Sequence, residues 1–418
     1  MKKVLIISYY YYPIVGGIRI RGLLKYLKLH GYEPYLLTSN YTDIESTDEI
    51  PHIYVVPDKK IETGKNALQN KVQTVDRNSI LYAVVKKSYN FIYSLLVYPD
   101  AQTEWSRDAY SKAAEIINNE KIDIILSSSK PDSSHLLAKN LKESYNLPWI
   151  ADFRDLWTQN HYNNHPKIRS FFEKKLEVST ISKADVIVTV SDYLAEKMGE
   201  LHRDIPIHAI VNGFDPDEIN PRQVAGRNEK MTMTYTGHLY KGKRDPTILF
   251  QAIKELVDEK EIDRTKVCVK LYGPDENFVR EEVQNANLSD IVTYCGNIPR
   301  EEALVKQRES DVLLLILWDH PDEVGVYTSK IFEYLASQRF ILCTGMTEGA
   351  VPALLKDTNA GVTCSTVSDV KCIIACLYQE YLSQGCVQFK GDPSEISKYS
   401  HTGMVSKFAD LMDGLLIR

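Results

Sequence analysis

The 418-residue chain has no run of about 18 apolar residues, so nothing in it reads as a membrane-spanning helix. It has no cysteine before Cys268 and no C-x-x-C pair. The seven cysteines, Cys268, Cys295, Cys343, Cys364, Cys372, Cys376 and Cys386, are odd in number and scattered among apolar residues. That pattern excludes a disulfide framework and predicts reduced thiols, buried as small hydrophobes, in a cytoplasmic protein. Basic residues are not in excess: the net charge is −6, so no global field favours nucleic acid. Neither G-x-G-x-x-G nor G-x-x-x-x-G-K-[ST] occurs, which removes the two common phosphate-loop signatures. H-E-x-x-H is absent too; His161 and His165 stand four apart, but Pro166 follows directly, and no metal centre is expected. Met1-Lys2-Lys3 and the apolar Val4 to Ser8 are too short for a signal-peptide core and read as a first strand.

What is present is a rhythm. Short β-branched runs at Val4 to Ser8, Pro34 to Thr38, Ile122 to Ser127, Trp149 to Asp152 and Val186 to Val190 alternate with helical patterns. A second series begins at Met231 and continues at Val267, Ile291, Asp311, Phe340 and Gly361. Apolar runs separated by helices imply parallel sheets covered on both faces, and the length suits two α/β domains. The expected division is a first domain at 1–213, a Gly-, Pro- and Asn-rich linker at 214–230, a second domain at 231–395 and a closing segment at 396–418. In that segment Met404, Phe408, Leu411, Met412 and Leu415 fall at helical spacing. One interval breaks the rhythm: residues 59–98 carry Lys59, Lys60, Lys65, Lys71, Arg77, Lys86 and Lys87 against Glu62 and Asp76, then turn apolar and aromatic. This reads either as an interfacial helix on anionic lipid or as a helix packed on its own domain.

Every chemistry-bearing stretch follows a strand, where ligands of doubly wound sheets bind. In "YYYYPIVGGIRIRGLLKYL", Gly16 and Gly17 let backbone N–H groups approach an anion at a helix start, or simply make a turn. "YTGHLYKGKRDP" crowds Lys241, Lys243 and Arg244 onto a glycine-containing loop, which suits a diphosphate. In "DEVGVYTSKIFEYLASQRFIL" a helix near Thr328 to Ser337 sets Lys330, Glu333 and Tyr334 on one side. Glu333 can accept ribose hydroxyls, or pair with Lys330 at the surface. "PWIADFRDLW" offers Asp152, Arg154 and Asp155 to position an acceptor hydroxyl or take its proton, or as a buried ion network. The hydroxyl-rich "SSSKPDSSH", which includes Ser128, can line a sugar site or cap the next helix.

In order and spacing these stretches resemble glycosyltransferase family 4. "VNGFDPDEI" is similar to that family's Asn-Gly-x-Asp signature ahead of the second domain. "LYGPDENF" and "YCGNIPREEALVKQRESDVLLL" are similar to its mid-domain glycine turn and its base-contacting segment. The resemblance runs along nearly the whole chain and implies the GT-B fold: two Rossmann-like doubly wound domains facing across a cleft, with the C-terminal helix crossing back to the first. It also implies transfer of a sugar from a UDP- or GDP-sugar to an acceptor hydroxyl, with retention and without a metal or other cofactor. A lipid-linked glycan acceptor at the inner face of a bacterial membrane fits, with residues 59–98 touching lipid. The alternatives on the same fold are a nucleotide-sugar epimerase or hydrolase, or a non-catalytic nucleotide-sugar binder.

Carried over by position, Gly16 and Gly17 lie near the leaving diphosphate, Lys243 is the family lysine and Glu333 the ribose glutamate. Donor binding further involves Lys241, Arg244, Lys330 and backbone near Ile298. The arginine usual after the loop glycine is His238 here, with Arg244 or Lys241 supplying its charge. The glutamate usual eight positions before the ribose glutamate is Gly325 here, and Glu323 or Asp322 from the loop, or backbone amides alone, take its place. Asp152 orients the acceptor, supported by Arg154, Asp155 and Ser128.

Overall fold

The computed structural model describes residues 1–41, 50, 52–59, 98–163, 165–218, 228–273 and 277–417. The basic interval therefore lies outside the described residues, apart from its ends. The chain forms two compact units: Met1–Val211 together with Met404–Arg418, and Asn212–Gly403. Among the described residues no helix is long and apolar enough to cross a membrane.

The first unit alternates strand and helix: β1 (Lys2–Ile7), α1 (Ile18–Tyr26), β2 (Tyr32–Ser39), β3 (Ile53–Val56), α2 (Thr103–Glu120), β4 (Ile124–Ser129), α3 (Ser133–Tyr145), β5 (Trp149–Phe153), α4 (Lys167–Ile181), β6 (Val186–Thr189), α5 (Asp192–Leu201) and β7 (Ile207–Ala209). All seven strands are parallel, in the order β3-β2-β1-β4-β5-β6-β7. Central strands such as β1 and β4 are buried on both faces, which is why they read as continuous apolar or small runs. Sequence patterning missed β3 and β7, short and half-exposed strands at the sheet edges.

The second unit comprises β8 (Met231–Thr236), α6 (Thr247–Asp258), β9 (Val267–Tyr272), α7 (Asn277–Asn285), β10 (Val292–Gly296), α8 (Arg300–Arg308), β11 (Val312–Ile316), α9 (Ser329–Ser337), β12 (Phe340–Thr344), α10 (Ala350–Thr358), β13 (Gly361–Cys364), α11 (Val367–Gln384) and α12 (Pro393–Ser397). Its parallel sheet runs β10-β9-β8-β11-β12-β13, the doubly wound order. Phe214, expected in a linker, packs into this unit beside Tyr399 and bridges to Ser400. The thiols are all free, but only Cys343 and Cys364 are buried. Cys372 and Cys376 are exposed on α11, so the expectation of seven buried thiols fails where an amphipathic helix turns two outward.

The last helix, α13 (His401–Leu416), returns the chain to the first unit. Met404, Val405, Phe408 and Met412 are fully buried there against Val4, Ile6, Leu23 and Val188. Each such side chain contributes about 1.5–3 kcal/mol of apolar burial.

Candidate active site

In both units the strand order reverses at one place, between β1 and β4 and between β8 and β11. Loops leaving the carboxyl ends of those strands diverge and open a crevice, the usual ligand position in such sheets. Most of the residues singled out from sequence lie on these loops or on the helices that follow them.

In the second unit, β8 ends at Gly237, whose φ of +123° is a conformation that glycine adopts readily. A Cβ on Gly237 would lie 2.6 Å from Lys330 Nζ, and one on Gly273 would collide with the Gly237 carbonyl. The two glycines thus let two turns touch and leave room for an ammonium. Lys330, in the first turn of α9, is half-buried; its Nζ donates to Tyr235 Oη at 2.8 Å, and that hydroxyl donates to the His238 carbonyl at 2.8 Å. Burial and the Arg244 charge push the Lys330 ammonium down to about 7, against the opposing pull of Glu333.

His238 is exposed, its ring stacked 6.0 Å from that of Tyr240. The basic loop closes on itself, Tyr240 N–H donating to Arg244 O and Lys243 N–H to Tyr240 O. Lys241 and Lys243 stay exposed, with Lys243 Nζ 4.2 Å from the centre of the Trp318 ring. Arg244 is half-buried and lines a pocket with Leu317, Trp318, Glu323, Val324 and Thr328, on the far side of the switch point. Arg244 and Glu323, separated by many residues in sequence, therefore share one pocket wall.

Glu333 sits one turn beyond Lys330 but does not pair with it; Arg300 Nε donates to Glu333 Oε1 at 3.1 Å, and Arg300 Nη1 to Glu218 Oε2 at 2.9 Å. Fully buried Gln307 donates to Glu333 Oε2 at 3.4 Å and to Thr236 Oγ1 at 3.1 Å. Tyr334, expected on the same side, points inward instead and donates to the Leu314 carbonyl. Ile298 lies half-buried in the loop just before Arg300. Arg300, Gln307 and Tyr235 were not singled out from sequence. Their signal was there: Arg300 opens α8 after a strand end, Gln307 follows two turns on, and Tyr235 sits next to the end of β8 just before Gly237.

In the first unit, a 3-10 turn Val15–Gly17 leads into α1. A Cβ on Gly17 would overlap the backbone of Tyr11 and Tyr12, and one on Gly16 would strike the Arg154 guanidinium. Arg154 spans the crevice, donating to the carbonyls of Gly16, Ser129 and, at 3.0 Å, Lys130. Burial lowers its pKa, while the charges of Asp152 and Asp155 work the other way.

Asp152 is wholly buried and accepts from Arg19 through both oxygens, at 2.9 Å and 3.2 Å, and from Ser128 Oγ at 2.8 Å. Arg19 continues to the Val211 carbonyl and lies 4.9 Å from the centre of the Phe408 ring. Sequence reasoning missed Arg19 because nothing in its helical context marks it as buried. Asp155 is exposed and stands outside this group. Buried His135 sets Nδ1 2.7 Å from Ser127 Oγ, and burial drives its pKa to about 3. Burial also raises Asp132 to about 7 despite its 2.8 Å pair with Lys130.

Residues 16–218 match the family model described as Glycosyltransferase Family 4. The matched segment holds Gly16, Gly17, Ser128, Asp152, Arg154 and Asp155. The whole chain superposes on solved GT-B structures. A glycosyltransferase from Rickettsia africae aligns with a TM-score of 0.64 at 16% identity, covering 99% of this chain and 98% of that one. Sucrose-phosphate synthase from Thermosynechococcus elongatus gives 0.64 at 14%, with complete coverage of both chains. Anabaena HepE in complex with UDP and glucose gives 0.62 at 10%, covering 99% and 100%. At these identities the likeness establishes the fold. No curated protein sequence matches the chain.

Proposed function

We propose that the chain is a retaining, metal-independent glycosyltransferase. In this reading it moves a sugar from a nucleotide-sugar to a hydroxyl of a lipid-linked glycan during bacterial surface-polysaccharide synthesis. The observation that carries the reading is the cation set at the second switch point: half-buried Lys330 in the space left by Gly237, with Lys241, Lys243 and Arg244 on the adjoining loop. A partly buried ammonium beside a guanidinium is costly until an anion arrives, and a diphosphate supplies the missing charge.

Glu333, oriented by Arg300 and Gln307, stands where a ribose edge follows from that diphosphate, and it accepts the sugar hydroxyls. UDP is the first donor to test, since the Anabaena protein of this fold was solved with UDP and with UDP-glucose. As the anomeric bond breaks, Lys243, Arg244 and Lys330 stabilise charge growing on the leaving phosphate, and that phosphate takes the acceptor proton. Glu323 faces the transferred sugar from the Arg244 pocket. In the first unit, Arg154 fixes the Gly16 turn, and the Arg19–Asp152–Ser128 group sets the floor on which the acceptor hydroxyl is aligned.

The test is incubation with radiolabelled UDP- and GDP-sugars and a lipid extract. Label passing into lipid from one donor supports transfer. Free or epimerised sugar with no glycoside formed would replace this reading with hydrolysis or epimerisation.

A further inference from the structure

The helix α4 is inside out. Its buried positions are Arg169, Glu173, Glu177, Thr180 and Ile181, spaced by one turn along the inner face. There Arg169 Nε meets Glu173 at 3.2 Å and His202 Nε2 meets Glu177 at 3.2 Å. Four apolar side chains point outward, Ile168 at 59% exposed, Phe171 at 55%, Phe172 at 56% and Val178 at 38%, while Leu176 and Ile181 pack on the core. An amphipathic helix on a soluble surface shows the opposite arrangement.

The charge on the outer face has one sign. Lys167, Lys174 and Lys175, with Lys183 just beyond the helix, are exposed, while both acidic residues of the helix are buried and paired. Phe171 and Phe172 stand 5.5 Å apart edge to face, and Lys175 Nζ lies 4.5 Å from the centre of the Phe171 ring. A shallow groove runs along Phe171, Lys174, Lys175 and Val178.

We propose that this face docks the protein on an anionic lipid surface. The two phenylalanines and Ile168 enter the headgroup boundary, and the lysines flank them to meet lipid phosphates. The fit rests on that pairing of exposed aromatics with unopposed positive charge, which suits a bilayer interface better than an acid-bearing protein groove. Glu177 against His202, and Arg169 donating to the Pro99 carbonyl at 2.7 Å, hold the helix to its unit, so the apolar side is free to face outward. This surface is separate from the basic interval at 59–98, and the inference does not depend on the transferase reading.

Co-sedimentation with phosphatidylcholine vesicles, with and without phosphatidylglycerol, tests it. The full chain is expected to bind only the anionic vesicles and to be released by salt. Phe171→Ser with Phe172→Ser, and separately Lys174→Glu with Lys175→Glu, should each lower partitioning about tenfold or more while melting stays unchanged. Lys86→Glu with Lys87→Glu should leave most of the binding in place. The proposal is overturned if the full chain ignores anionic vesicles, or if the α4 variants bind as before. It is also overturned if only the Lys86 and Lys87 variant loses binding. A fall in solution mass on Phe171→Ser with Phe172→Ser, with vesicle binding intact, would instead assign the face to contact between copies of this chain.

Discussion

Lys330 makes the binding of a nucleotide diphosphate depend on pH in a direction that can be worked out. With its pKa near 7 in the ligand-free protein, about half the molecules carry the ammonium at pH 7 and about one in a hundred at pH 9. A diphosphate in contact with the ammonium restores its proton, so binding above pH 7 must pay for protonation, about 1.4 kcal/mol per pH unit. UDP affinity should then fall about fiftyfold between pH 7 and pH 9, about 2.3 kcal/mol. Titration calorimetry in buffers of different ionisation enthalpy should register close to one proton taken up per UDP near pH 8.5. Lys330→Met should bind weakly at pH 7 but with a flat profile up to pH 9.

Stability of the ligand-free protein responds to the same group. Because the folded pKa lies below the ordinary 10.5, the unfolded chain holds more protons between about pH 7 and 10.5, and stability rises with pH across that window. A UDP affinity that changes less than about threefold from pH 7 to 9 would refute the reasoning. So would the full slope persisting in Lys330→Met.

Other outcomes follow from the geometry. Glu333→Gln should weaken UDP binding by about 1.5–3 kcal/mol while leaving melting almost unchanged, since Arg300 keeps Glu218; calorimetry and thermal melts separate the two. Arg19→Met strands the buried Asp152 carboxylate and should cost about 3–5 kcal/mol in urea unfolding. Gly17→Ala forces a Cβ into the Tyr11–Tyr12 backbone and should destabilise by about 1–3 kcal/mol; an unchanged urea midpoint would contradict the packing described. His135 is held neutral with a folded pKa near 3, so it contributes stability that is lost as pH falls from about 6.5 toward 3. A melt series on His135→Asn should show a shallower acid slope than the parent protein.

The alternation of strand and helix was legible because parallel strands buried on both faces leave unbroken runs such as Val4 to Ile7 and Val312 to Ile316. The candidate site was legible in its loops, where Gly237, Arg244 and Lys330 each follow a strand end. What stayed hidden were partners distant in sequence. Arg300 and Gln307 orient Glu333 across dozens of residues, and Arg19 meets Asp152 from another strand–helix unit. Such pairings depend on sheet order, which no local pattern records. The inversion of α4 was hidden for a related reason: periodicity locates an apolar stripe but not which way it faces.

The return of residues 404–418 to the first unit gives the chain a nested order of assembly. The second unit's residues emerge from the ribosome after most of the first and before its last piece. Until Phe408 and Met412 arrive, Val4, Ile6 and Val188 have an uncovered flank, so the earlier-made unit waits, incompletely packed, while the later one is synthesised and can fold. Loss of the last helix at the end of synthesis would thus damage the part of the protein that was made first.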